Sequence, residues 1–160
     1  MNPNTKTPFC RPSGSSWSTG PTGCTCSVTK QASGVWTGGS LASRAVRRCG
    51  LDHGARHVKK GNTDSLKGLK KVLFTKPAQL VFEMDVLEST DDKLYLDFHY
   101  CPLVKAWQNA GCSDEEIAEL CDIAMCGDHG IGECYGAKLD LPKCIAKGDD
   151  VCSLRYNKVK

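Results

Sequence analysis

Acidic residues are almost missing from the first sixty positions of this 160-residue chain, where Asp52 stands alone against nine lysines and arginines. The rest of the chain holds the other seventeen acids against twelve basic residues, so a net charge of +3 covers two unlike halves. Apolar periodicity is missing from the first 43 residues too, as "PSGSSWSTGPTGCTCS" and "ASGVWTGGS" illustrate. Such a segment buries too little surface to offset its ordering entropy, and disorder is expected there. It also lacks an apolar run long enough for a signal peptide or a membrane span. Its few acids and many Ser and Thr loosely resemble an organelle transit sequence, but its Gly and Pro oppose the amphipathic helix that such sequences use.

Residues 44–60, "RAVRRCGLDHGARHVKK", lack an apolar face and any aromatic side chain that could stack on a base. Charge alone would suit nucleic acid or an anionic surface, but runs of this kind are usually solvated. Residues 1–60 are therefore expected to be a disordered, basic, non-domain segment, with the domain at 62–160 and with neither nucleic acid nor membrane as a partner.

Cysteine, by contrast, is abundant: eleven residues. An odd count without a signal peptide fits a disulfide scaffold poorly, and seven of them (101, 112, 121, 126, 134, 144, 152) lie in or beside periodic segments. A reducing, cytoplasmic setting is expected, in which most of these thiols act as small buried hydrophobes.

Beyond residue 62 the pattern sharpens. Apolar residues at 66, 69, 72 and 73 predict a short helix that stops before Pro77. "QLVFEMDVLE" and "LYLDFHYC" alternate around the polar turn "STDDK". The first puts Leu80, Phe82, Met84 and Val86 on one face, and the second does so with Leu94, Leu96, Phe98 and Tyr100, which predicts an antiparallel hairpin. "PLVKAWQNAG" reads as a helix with Leu103, Ala106, Trp107 and Ala110 on its stripe. "SDEEIAELCDIAM" opens with a capping box from Ser113 to Glu116 and buries Ile117, Leu120, Cys121 and Ala124. A glycine-rich loop is expected next, flexible over a pocket, and then a second hairpin, "KLDLPKCIAKG" with "VCSLRYN", around the turn "KGDD". The fold class is α+β: an antiparallel sheet of about four strands with helices packed on one face.

The junction "HYCPLVKAW" singles out Cys101. A residue before proline is pushed out of the α region, and proline is favoured at the first helical position. Cys101 is thus expected to end the strand as the N-cap of a helix that begins at Pro102. There the free amides and the dipole favour an anion, which is the chemical case for a nucleophile. The competing reading is a thiol turned inward as packing.

Other candidates are weaker. C-x4-C-x2-H-x4-C (Cys121, Cys126, His129, Cys134) offers four zinc ligands, but it lacks the paired C-x2-C of common sites and runs into the helical stripe, so no metal or other cofactor is assigned. Asp128 and His99 are candidate acid–base groups. Lys143, Arg155 and Asp149 are candidate substrate contacts. The turn Gly148–Asp150 and Cys152 are also accounted for by a plain hairpin turn and a buried cysteine.

The order of "HYCPLVKAW", "LCDIAM", "GDHG" and "LPKCIAKGDDVCSLRY" over residues 66–160 resembles the L-2-amino-thiazoline-4-carboxylic acid hydrolase family. The resemblance implies hydrolytic opening of a thiazoline ring to an N-carbamoyl amino acid. It offers position matches at Cys101, Cys121, Asp128, Lys143, Asp149 and Cys152. It also implies a helical upstream region that residues 1–60 do not resemble. The reading is a small hydrolase with a small-molecule substrate. Its rivals are a non-enzymatic small-molecule-binding or thiol redox-sensing domain, and a zinc-stabilised interaction module.

Overall fold

The structure, a computed structural model, describes residues 37–159, with side chains from residue 41. The disorder expected of residues 1–36 lies outside the described residues.

The alternating runs form the hairpin that the sequence predicts. Strands β1 (Met84–Ser89) and β2 (Lys93–Phe98) pair antiparallel, Met84 opposite Phe98 and Ser89 opposite Leu94, with a bulge between Val86 and Glu88. Strands β3 (Ala137–Asp140) and β4 (Cys152–Lys158) complete one antiparallel sheet in the order β1-β2-β4-β3. Because strand side chains alternate in direction, Leu94, Leu96 and Phe98 of β2 face the helices with Cys152, Leu154 and Tyr156 of β4, and all six are buried. The fold is α+β, and its core lies between this face and the helices.

Helix α2 (Leu66–Leu73) buries Leu66 and Leu69 as its spacing predicts, capped by the Ser65 hydroxyl. Five expectations need correction. Residues 76–81 form a short helix, α3 (Lys76–Val81), and not the start of a strand, because Pro77 sits in its first turn where a missing N–H costs nothing. Leu80 is 80% exposed in consequence, and the chain turns at Glu83 (φ 47°) before β1 begins. In α4 (Pro102–Asn109) Val104 and Trp107 face the core, while Leu103 is half exposed and Ala106 exposed. The second hairpin is wide: β3 ends at Asp140, and residues 141–151 include a 3-10 turn at Ile145–Lys147.

The fourth correction is the largest. The glycine-rich stretch after Met125 is no loop but the second half of a continuous helix, α5 (Asp114–Cys134), opened by the predicted capping box. Nor are residues 44–60 a solvated tail, because they belong to helix α1 (Thr37–Gly61). The two findings have one cause. Val46, Gly50, Gly54 and Val58 recur every fourth residue, so they share one face of α1, and Gly127 and Gly130 of α5 meet that face. A β-carbon at Gly50 would collide with the Gly127 carbonyl, and one at Gly130 would stand 2.7 Å from the Arg47 carbonyl oxygen. The helices run in the same direction, from Val46 against Gly127 to Gly54 against Cys134. Glycine inside a helix costs roughly 0.5–1 kcal/mol relative to alanine; here it permits backbone contact that any side chain would block. The pair is tied at its edge by Arg47, whose guanidinium bonds both oxygens of Glu133 at 2.6 and 2.7 Å.

Candidate functional site

Past Phe98 the chain leaves the sheet, held by bonds from the His99 and Tyr100 amides to the Glu83 and Phe82 carbonyls. Cys101 follows in an extended conformation (φ −123°, ψ 107°) as the N-cap of α4, with Pro102 in the first turn. It stands three residues beyond the strand and does not end it. Its side chain makes no capping bond, so it leaves the first-turn amides of α4 free of it. The side chain is half-buried and faces a cavity of about 200 Å³. That is below the ~300–1,000 Å³ of sites for drug-sized ligands and suits one small ring.

The cavity lies between the inner face of the sheet and helices α2 to α5. Its wall is apolar, with Phe74, Phe82, Phe98, Leu103, Trp107 and Met125 among the lining residues. Half-exposed Leu103 belongs to both the wall and the surface. Three cysteines also face the space: Cys101, Cys121 of α5 and Cys152 at the start of β4. Cys121 lies 3.6 Å, sulfur to sulfur, from Cys144, and the Cys152 sulfur accepts the Ile145 N–H at 3.2 Å. Burial pushes the Cys121 thiol well above its ordinary range and the Cys152 thiol up to about 12, so both stay neutral near pH 7. They are packing thiols, and Cys101 is the least enclosed sulfur on the wall.

One ionisable group of a different kind lines this space: Asp128. It lies on the inward stripe of α5, which runs Ile117, Cys121, Ala124, Asp128, Ile131. Among the described residues its carboxyl has no hydrogen-bond or ion-pair partner. Burial pushes its pKa up from the ordinary carboxylate range to about 6. A carboxyl with that environment in a cleft is the pattern of a proton-transfer group.

The remaining candidates lie elsewhere. His99 is exposed beside the sheet, its Nε2 3.0 Å from Asp85. Arg155 is on the outer sheet face, bonded to Asp97 at 2.7 Å and to the Leu96 and Leu154 carbonyls, with its guanidinium over the Tyr95 ring. Lys143 is exposed and not among the cavity's lining residues. Asp149 accepts the Cys144 N–H at 2.7 Å, which closes the 3-10 turn. The structure thus brings Cys101 and Asp128 to one cavity and leaves His99, Lys143, Asp149 and Arg155 outside it.

The four zinc-ligand candidates are not brought together either. On one helix their spacing spreads them around the axis: Cys121 faces the core, Cys126 bonds the Asp122 carbonyl, His129 is exposed, and Cys134 meets the Leu51 carbonyl. Among the described residues no group of three or more His, Cys, Asp or Glu is arranged to hold a metal. No helix among them is long and apolar enough to cross a membrane.

Sequence reading missed the aromatic wall. The signal for Asp128's orientation was present, since the helical stripe of 117, 121 and 124 extends in register to 128 and 131. The glycines hid it.

Neither a curated protein nor a solved structure matches the chain. A family model matches residues 27–156, a span that takes in α1 and the whole sheet up to Tyr156. By that match the chain belongs to the L-2-amino-thiazoline-4-carboxylic acid hydrolase family.

Proposed function

We propose that the protein is a hydrolase that opens a small cyclic amidine of the 2-amino-thiazoline-4-carboxylate type, with Cys101 as nucleophile and Asp128 as proton shuttle. The observation that carries this reading is the pairing, in one small apolar cavity, of a half-buried sulfur at a helix N-terminus with a carboxyl that has no partner among the described residues and is raised to about 6. Membership of the family supports the substrate class.

The residues suit the chemistry in two steps. Asp128 takes the thiol proton of Cys101 as the sulfur attacks the amidine carbon. The ring carbon–sulfur bond then breaks, and its electron pair leaves on the ring sulfur, which Asp128 protonates. Water next loses a proton to Asp128 while its oxygen bonds to the same carbon. The bond to Cys101 breaks, the sulfur recovers its proton from Asp128, and an N-carbamoyl amino acid with a free thiol departs. The net reaction is addition of one water. Among the described residues no lysine or arginine lines the cavity, so the substrate carboxylate is assigned to the first-turn amides of α4 beside Cys101.

A shuttle that must start as carboxylate makes activity rise with pH through about 6 and level above it. The test is to incubate the protein with the thiazoline acid and titrate the new thiol, with mass detection of the carbamoyl product. Stoichiometric release of both is expected. No thiol above the buffer rate would overturn the reading.

A further inference from the structure

We infer that the Tyr156 hydroxyl and the Asp128 carboxyl hold between them the water that completes the hydrolysis, so that Tyr156 is a positioning residue for that water. The inference rests on the function proposed above and adds a residue that neither the sequence reading nor the cavity wall pointed to.

Tyr156 lies near the middle of β4, opposite Leu94 on one side and Leu139 on the other, and is fully buried. Its ring packs on Gly132 of α5 so closely that a β-carbon there would lie 3.1 Å from a ring carbon. Gly132 is one turn beyond Asp128 on the same helix face, so this contact brings the tyrosine ring beside the turn that carries the carboxyl. The buried phenol oxygen has no hydrogen-bond partner in the protein among the described residues, and burial is the one influence on the Asp128 carboxyl, with no hydrogen bond or charge from the described residues to offset it. The negative charge of Asp128 acts on the phenol and, after burial, is the second cause that holds it protonated. A buried donor that stays protonated and an acceptor on the cavity wall, neither satisfied by the described residues, are the kind of pair that one bound water joins. The phenol donates to the water oxygen, and the water donates to the carboxylate. That leaves an oxygen lone pair for attack on the carbon and sends the proton to Asp128.

Tyr135 supplies a control. Its hydroxyl is also buried and without a partner among the described residues, but the charge that acts on it is that of Cys134, and Asp128 is not among its influences. The experiment compares Y156F and Y135F with the full-length protein by two readouts: the titration midpoint of the Asp128 carboxyl by carbon NMR, and thiazoline turnover. In Y156F the midpoint is expected to rise by about half a pH unit or more, because the carboxylate loses an oriented donor. Its kcat is expected to fall about tenfold with KM unchanged, and Y135F should move neither. An Asp128 midpoint that is the same in Y156F and the wild type overturns the inference, whatever turnover does. A midpoint that moves in Y156F alone, with no thiazoline turnover by any form, leaves the Tyr156–Asp128 pair standing and removes the proposed reaction. Equal shifts in both variants also overturn the inference, since they would report general loosening of the core.

Discussion

Asp97 and Asp128 lie on opposite sides of one sheet, and their environments drive them in opposite directions. Outside, Asp97 is gripped by Arg155 and Ser153 at 2.7 and 2.9 Å. Burial alone would raise its pKa, but those hydrogen bonds and the Arg155 charge together hold it below the ordinary range. Inside, Asp128 meets burial with no partner among the described residues to offset it and rises to about 6. A satisfied carboxylate is spent on structure, while an unsatisfied one remains free to exchange a proton near neutrality. Of the two, only Asp128 shares a space with a helix-terminal sulfur.

The comparison breaks most sharply at the inner site. Asp128→Asn and Cys101→Ser should each lower thiazoline turnover by about 10²–10⁴-fold, while Asp97→Asn leaves it within a few-fold of wild type. Equal losses from the inner and outer aspartates in a steady-state assay would erase the distinction. Next in size is the glycine contact that holds α5 in place. Gly130→Val puts a branched side chain against the Arg47 carbonyl and should lower stability by about 2–3 kcal/mol, measured by urea unfolding.

A third expectation concerns pH. Asp128 binds its proton more tightly folded than unfolded, so between ~4 and ~6 the native state holds the extra proton and stability falls as pH rises. Asp128→Asn removes that slope. Above pH 6 the variant should therefore be more stable than wild type, on the order of 2 kcal/mol, in unfolding titrations run at pH 4.5 and 7.5. Asp97 has the opposite sign. Its contribution is present above its unfolded pKa and is lost as pH falls below ~4. The smallest effect follows from that: Asp97→Asn should cost about 1 kcal/mol at pH 7, and this cost should vanish under acid.

Much of the fold was legible because its signals are local. The β1–β2 hairpin follows from side chains that alternate across a half-buried sheet, the capping box at Ser113 marks the start of α5, and Cys101-Pro102 fixes an N-cap through the steric demands of proline. The reading failed where glycine served contact and not flexibility. At Gly50, Gly54, Gly127 and Gly130 the apolar surface is backbone, which no hydrophobicity pattern registers, so a packed helix pair read as a tail and a loop. It failed again at Leu80, where an alternating pattern gave way to a proline-started turn of helix.

The candidate site divides the same way. Sequence alone determined that Cys101 would occupy a helix N-cap, because that depends only on its neighbour. It also determined the family, because motif order is a property of the chain. Whether Asp128 would find a partner, whether Arg155 would turn toward a substrate or toward Asp97, and whether the Tyr156 ring would pack on Gly132, one turn from Asp128, were decided by which residues far apart in the chain came to share a cavity, a helix contact or a sheet face. Proton affinity depends on that company, and a linear order of residues does not specify it until the helices and the sheet have closed on one another.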